Sequence, residues 1–233
     1  VFAMARGLYP IYQAENTDEI IQGLNDGSIK ISEYMLEGFR FFKELVDNGY
    51  YGDNLTVEGV DAIRANTTDW EGFRDGKIAF TVFPAGKEED IEWEVPDMDF
   101  IQQGIPALPD GTVSLPSIGT RICVNAKGAH VAESLEVLEY LTTHKKNELN
   151  KGASSILPVF KYEEFDLDPR LQALYDDACS PGQIPIEDMS LSFDYWGTIR
   201  TLCLDIIGGA TPEEAAASYD RIQLEAVAAA GAQ

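Results

Sequence analysis

The chain has 233 residues, with 17 Lys and Arg against 40 Asp and Glu, so its formal net charge at pH 7 is −23. A surface this acidic argues against binding nucleic acid, which requires a basic face, and against docking on anionic lipid headgroups. Apolar residues make up 45% of the chain, which is enough for the core of one large domain or two small ones. No run of the sequence approaches the roughly 20 apolar residues that span a bilayer.

The cysteines and histidines are too few and too scattered for a metal site or for histidine-based catalysis. Cys123, Cys179 and Cys203 form no C-x-x-C pattern, and the two histidines are His130 and His144. The G-x-S-x-G, H-E-x-x-H and Walker A motifs are also absent from the sequence. We therefore expect no catalytic residue, no metal ligand and no cofactor, and three inert thiols that are mostly buried.

Helical patterns dominate the first half of the chain. They predict helices at residues 18–26, from Ser32 to about residue 48, and at residues 69–74. Ser32 is the predicted N-cap of the second helix and Gly49 its C-terminal stop, while Thr68 and Glu71 have the spacing of a capping box. The second helix carries one apolar stripe, formed by Met35, Phe39, Phe42 and Val46.

Alternating apolar residues predict three strands, at residues 77–83, 100–108 and 120–125. The first of these places Ile78, Phe80 and Val82 on one face. The tripeptide Pro-Asp-Gly at residues 109–111 predicts a turn after the second strand. Strands that alternate with helices along the chain are typical of the α/β class.

The second half of the chain predicts four helices. They cover Val131–His144, the segment from Pro169 to about residue 178, residues 191–207, and a last helix that begins after Thr211. The last helix has Thr211 as N-cap, Pro212 as its first residue and Glu214 to close a capping box. Its predicted apolar stripe is Ala215, Tyr219, Ile222 and Ala226.

Several short motifs occur in a fixed order along the chain. Residues 73–80 read Phe-Arg-Asp-Gly-Lys-Ile-Ala-Phe, residues 98–109 end in Leu-Pro, and residues 122–127 read Ile-Cys-Val-Asn-Ala-Lys before a helix. Asp-Pro-Arg-Leu at 168–171, Tyr-Trp-Gly-Thr-Ile-Arg-Thr at 195–201 and Thr-Pro-Glu-Glu-Ala at 211–215 follow. This ordered set resembles the bacterial extracellular solute-binding proteins of carbohydrate ABC importers, the maltose-binding-like family.

The resemblance implies an α/β fold with two lobes, of the periplasmic-binding-protein-like type II class, in which mainly the second lobe is present. Residues 1–114 and 161–233 would build the second lobe, and residues 115–160 would cross the hinge into the first. Val1 matches a point inside that second lobe, so we expect an N-terminally truncated chain. The crossing segment would then expose Val131, Leu135 and Leu138, and exposed apolar patches favour association. We therefore expect the chain to pair with itself.

The resemblance also implies that the chain binds a saccharide without covalent chemistry, in a cleft between the lobes. The protein would be periplasmic or a cell-surface lipoprotein, and would deliver the sugar to a membrane ABC permease. Trp196 matches the sugar-stacking Trp of the family, with Tyr195 and Asp194 beside it. Aromatic rings cover the apolar faces of sugars, and carboxylates bind their hydroxyl groups. The alternative for Trp196 is a core position on one apolar stripe with Ile199 and Cys203.

A second part of the expected binding site lies in the loop after the first strand. Phe83, Gly86 and Lys87 match the loop in which members of the family often place a second aromatic residue after a Gly. The usual Trp is missing here, and Phe-Pro-Ala-Gly-Lys stands in its place. This departure from the family pattern suggests a glycan other than maltose.

Two other functions remain open. A glycosidase-like hydrolase needs two carboxyl groups held about 5–10 Å apart across a cleft. Glu88, Glu92, Glu187 and Asp194 are candidates for that pair among the 40 acidic residues. A surface interaction module would instead bind a protein or a polymer on an open face.

Overall fold

The computed structural model describes residues 1–52, 55–58, 68–82, 95, 97–116, 122–145, 167–180, 183–186 and 189–231. Within these ranges the chain forms eight α-helices, a short 3-10 helix at Pro169–Leu171 and one two-stranded hairpin. The strands are β1 (Ile105–Leu108) and β2 (Gly111–Val113). The α-helices are α1 (Phe2–Gln13), α2 (Thr17–Asp26), α3 (Ser32–Asp47), α4 (Thr68–Arg74), α5 (Val131–His144), α6 (Gln172–Cys179), α7 (Trp196–Ile207) and α8 (Pro212–Gly231).

Helix α1 lies at the centre of the core, although the sequence patterns did not predict it. It packs against α3, the β1–β2 hairpin and α7, and it buries Met4, Leu8 and Ile11 completely or almost so. Helices α1 and α3 approach so closely at Gly38 that a Cβ atom on this residue would lie only 2.2 Å from the backbone oxygen of Ala3. The buried residues of α1 recur at helical spacing, but the helix contains Pro10, a residue that normally interrupts a helix.

Helix α3 forms where its apolar stripe predicted it. Met35 and Phe39 are fully buried, and the helix ends at Asp47, two residues before Gly49, which has a φ of +72°. The Gly49 N–H donates to the Val46 oxygen and the Tyr50 N–H donates to the Leu45 oxygen, which is the Schellman pattern of helix termination.

The prediction that Ser32 is the N-cap of α3 is wrong. Ser32 is the first helical residue and Ile31 occupies the cap position. The Ser32 hydroxyl donates to Asp220 Oδ2 at 2.8 Å, and the Ser32 N–H donates to Asp220 Oδ1 at 2.9 Å. A tertiary contact with α8 therefore takes the place of the local capping bond.

Helix α8 begins with the predicted capping box. The Glu214 N–H donates to Thr211 Oγ1 at 3.1 Å, and the Thr211 N–H donates to Glu214 Oε2 at 2.8 Å. Its predicted apolar stripe is only partly correct, because Tyr219 is buried but Ile222 is 38% exposed. The fully buried Gln223 occupies the core-facing position instead.

Two of the three predicted strands are not formed in the residues that the structure describes. Residues 77–82 and 122–125 have no regular structure, and Phe80 is 80% exposed. An alternating pattern forms a strand only where a neighbouring strand can pair with its backbone. The third prediction is confirmed in part: β1 covers Ile105–Leu108 and pairs antiparallel with β2 across the predicted turn. The two-lobed α/β fold stays a prediction.

Helix α5 has the predicted bounds, Val131–His144, but none of its residues is buried. Leu135 and Val137 are more than half exposed. The helix thus contributes nothing to the core formed by α1, α3, α7 and α8. Among the described helices, none has the length and apolar character that crossing a membrane requires.

Candidate functional site

Three of the six predicted binding residues lie together where helix α7 begins. Asp194 and Tyr195 directly precede the helix, and Trp196 is its first residue. We call residues 194–196 the Trp196 surface. The other three, Phe83, Gly86 and Lys87, lie outside the described residues.

The Trp196 side chain is 49% exposed. Ile199, Leu202 and Ile206 of the same helix are at most 3% exposed and form its core-facing stripe. The alternative that Trp196 is a core residue on that stripe is therefore wrong. Helix α7 also begins five residues later than the sequence predicted, so Trp196 lies at its first turn and not in its interior.

Asp194 stabilises the beginning of helix α7. Its Oδ1 accepts a hydrogen bond from the Gly197 N–H at 3.0 Å. A Cβ atom on residue 197 would lie 2.5 Å from Asp194 Oδ2, so a glycine at this position leaves room for the carboxylate. Asp194 is nevertheless exposed, and its carboxylate stands on the same first turn as the Trp196 ring.

Tyr195 is held more firmly than its two neighbours. It is partly buried and packs against the hydrophobic core. Its hydroxyl donates to the backbone oxygen of Ile186. This bond anchors the segment that precedes Tyr195. Because the bond uses the hydroxyl proton, Tyr195 cannot donate that proton to a ligand while the bond is formed.

Two buried aromatic residues, Phe193 and Tyr219, pack together near the Trp196 surface. Phe193 is 5% exposed, and its ring meets the Tyr219 ring edge to face, with centroids 6.0 Å apart. Burial, with a smaller contribution from the Asp194 charge, raises the pKa of Tyr219 well above its ordinary value. The Tyr219 phenol is therefore neutral at physiological pH, and its hydroxyl has no hydrogen-bond partner among the described residues.

The loop that leads into α7 is fastened by residues that sequence reasoning missed. The Tyr12 hydroxyl donates to the Met189 oxygen at 2.9 Å. The side-chain amide of Asn25 bonds to the backbone of both Ser190 and Ser192. These partners are about 170 positions apart in sequence, so no local pattern could have indicated them.

Two grooves in the described part of the chain lie away from the Trp196 surface. One, of about 380 Å³, is lined by Val57 and by residues of α7 and α8 that include Asp205 and Glu214. The other, of about 330 Å³, lies between residues 122–125 and helix α5. The Trp196 surface lines neither of these two grooves.

The described part of the chain offers no metal-binding cluster of three or more His, Cys, Asp or Glu side chains. Cys123 and Cys179 are exposed and Cys203 is partly buried, so the expectation of mostly buried thiols is wrong. Burial raises the pKa of the Cys203 thiol to about 12. Of the candidate hydrolytic acids, Asp194 alone is described, while Glu88, Glu92 and Glu187 lie outside the described residues.

Comparison of the chain with protein-family models, with curated proteins and with solved structures finds no match. The resemblance to solute-binding proteins therefore rests on the motifs in the sequence, and any function must be argued from the Trp196 surface itself.

Proposed function

We propose that this chain is the substrate-binding component of an ABC importer, which binds a saccharide non-covalently and presents it to a membrane permease. The observation that carries the proposal is the half-exposed Trp196 at the first turn of α7. Burying the exposed part of a Trp ring against a ligand is favourable, because it removes apolar surface from water. The sequence motif around Trp196 is also the one that resembles a sugar-stacking position.

The chemistry of the Trp196 surface suits a saccharide. An exposed indole ring can cover the apolar C–H face of a pyranose. The exposed carboxylate of Asp194, two residues before Trp196, can accept hydrogen bonds from sugar hydroxyl groups. Phe193, directly before this surface, is buried and packs on Tyr219, and an ordered binding surface loses less entropy on binding.

In this proposal the sugar enters a cleft between two lobes, and closure about a hinge encloses it. Residues 1–114 and 161–233 belong to one lobe, and residues 115–160 cross to the other. The absence of any buried residue in helix α5, which lies in the crossing segment, supports this division. No bond of the sugar is broken, and the closed form is the one that the permease recognises. The protein acts outside the cytoplasm, in the periplasm or as a lipid-anchored surface protein.

A thermal-shift screen tests the proposal with the chain as it is. The panel contains glucose, galactose, N-acetylglucosamine, maltose, cellobiose and xylobiose. A ligand that binds only the folded state stabilises it by about 2.7 kcal/mol at one hundred times its dissociation constant. We expect one glycan class to raise the melting temperature and to be recovered unchanged by chromatography.

Two outcomes of the screen favour the rival functions. Cleavage of the stabilising glycan would identify a glycosidase-like hydrolase. Absence of any shift across the panel would contradict saccharide binding by this chain and favour a surface interaction module.

A further inference from the structure

We infer that Asn25 of helix α2 is a positioning residue for the Trp196 surface. It fixes the loop of residues 189–195, which leads directly into α7. The inference concerns the same site as the proposed function and rests on it for its role in saccharide binding.

The Asn25 amide uses both of its polar atoms on this loop. Its Nδ2 donates to the Ser190 oxygen at 2.7 Å, and its Oδ1 accepts from the Ser192 N–H at 2.7 Å. The two bonds thus hold the backbone on both sides of residue 191. A primary amide offers a donor and an acceptor together, whereas a carboxylate is an acceptor only, so Asp cannot make both bonds.

The backbone held by Asn25 is strained. Ser190 has a φ of +54°, and it is the one non-glycine residue with a positive φ in the described part of the chain. A side chain disfavours this left-handed conformation, so the loop has a reason to relax into another shape. The Asn25 bonds are formed in the strained conformation and oppose that relaxation.

The ends of the loop are fixed by other means. Met189 is 1% exposed and its backbone oxygen is bonded by Tyr12. Phe193 is 5% exposed and packs on Tyr219. Asn25 therefore acts on the middle of the loop, between two buried anchors, and determines the path by which the chain reaches Asp194.

This placement gives Asn25 an effect on binding that exceeds its effect on folding. Its two bonds are at the exposed side of the loop, so removing them leaves the buried core unchanged. The loop would then sample several conformations, and the Asp194 carboxylate and the Trp196 ring would lose their fixed relation. A ligand would have to order them on binding, which weakens its affinity.

The test follows the Trp196 environment directly by ¹⁹F NMR of protein labelled with 5-fluorotryptophan. The chain has three Trp residues, and the Trp196 resonance is identified by its loss in Trp196→Phe. We expect Asn25→Ala and Asn25→Asp to broaden or shift the Trp196 resonance and to leave the other two unchanged. The matched control is Asn125→Ala, whose Oδ1 accepts the Lys127 N–H at 3.0 Å on a distant segment.

A double variant separates positioning from a general effect on stability. Ser190→Gly removes the strain and should restore the melting temperature of Asn25→Ala, because glycine adopts a positive φ freely. It should not restore the wild-type Trp196 resonance, because a glycine makes the freed loop more mobile. Recovery of both together would show that Asn25 acts through stability alone and would overturn the inference.

Affinity is measured with the panel saccharide that gives the largest thermal shift. We expect Asn25→Ala to bind it about tenfold more weakly than the wild type and Asn125→Ala to bind it equally well. An unchanged Trp196 resonance in Asn25→Ala overturns the inference. If the resonance changes but no saccharide binds the wild type, the proposed function fails while the positioning of Trp196 by Asn25 stands.

Discussion

Gln223 lies fully buried on helix α8 and bonds to the backbone of the last turn of α2 and of the segment between α2 and α3. Its Oε1 accepts a hydrogen bond from the Ile31 N–H at 2.9 Å. Its Nε2 donates to the backbone oxygens of Leu24, at 2.7 Å, and of Ile29, at 2.9 Å. One side chain thus satisfies three backbone groups that no helix or strand bond serves, and it ties α8 to the turn.

Replacing Gln223 by Ala should destabilise the fold strongly. Three backbone groups lose their partner in a buried place, and each such loss costs about 1–3 kcal/mol. We expect the free energy of unfolding in urea to fall by about 3–5 kcal/mol. The control is Gln172→Ala, an exposed residue whose amide bonds to Asp176, which should change stability by less than about 0.5 kcal/mol. A loss below about 1 kcal/mol in Gln223→Ala would contradict the role of the amide.

The residues of the Trp196 surface differ in how far the sequence could predict them. The motif at residues 195–201 singled out Trp196 and Tyr195, with Asp194 directly before it, and these three residues lie where helix α7 begins. Whether Trp196 is exposed depends on the packing of α7 against its neighbours, which the motif does not determine. Asn25 was beyond prediction because its partners on the loop are 165 and 167 positions away.

At the scale of whole elements, the helix ends are the features that local sequence specifies best. Thr211 and Glu214 bond to each other across three positions, and glycines end both α3 and α7. Gly209 has a φ of +109°, and the Ala210 N–H donates back to the Asp205 oxygen at 2.9 Å. Each of these signals is complete within about six residues, so a pattern in the sequence is sufficient to predict it.

Gly209 provides a direct test of this account of helix ends. A Cβ atom at Gly209 would meet nothing within 4 Å, so the cost of Gly209→Ala comes from the backbone conformation alone. We expect a loss of about 1 kcal/mol in the free energy of unfolding. Gly231→Ala is the matched control, since its Cβ also meets nothing within 4 Å but its φ is not positive. Equal stability of the two variants would contradict the account.

Elements that depend on distant partners were predicted poorly. Helix α1 contains Pro10 and packs against α3 and the β1–β2 hairpin. Residues 77–82 alternate like a strand, yet in the described part of the chain they have no strand beside them. In both cases the deciding contact lies far along the chain, where local periodicity carries no information.

At the scale of the whole molecule, two opposing properties govern association. Helix α5 exposes Leu135, Val137 and Tyr140, and the sequence predicts that apolar side chains exposed on this helix make the chain pair with itself. The net charge of −23 opposes contact between copies, and salt screens that repulsion. The prediction is therefore an association that strengthens as ionic strength rises.

Sedimentation velocity at 20 mM and 500 mM NaCl tests this prediction, with screening lengths of roughly 20 and 4 Å. We expect the wild type to shift towards dimer at the higher salt concentration, and the double variant Leu135→Asp/Val137→Asp to stay monomeric. Ile101→Asp is the control, because Ile101 is an exposed apolar residue too, with an exposed fraction of 68%, but lies outside α5. A wild type that is monomeric at both salt concentrations would contradict the prediction.

The measurement that tests the central proposal most directly is a calorimetric titration of the stabilising saccharide into the wild type, Trp196→Ala and Tyr50→Ala. Tyr50 is 75% exposed and lies after α3, so it controls for the loss of an exposed aromatic ring elsewhere. We expect Trp196→Ala to weaken binding by about 1–3 kcal/mol, the scale of one lost aromatic contact, and Tyr50→Ala to leave it unchanged. Equal affinity of Trp196→Ala and the wild type would contradict saccharide binding at the Trp196 surface.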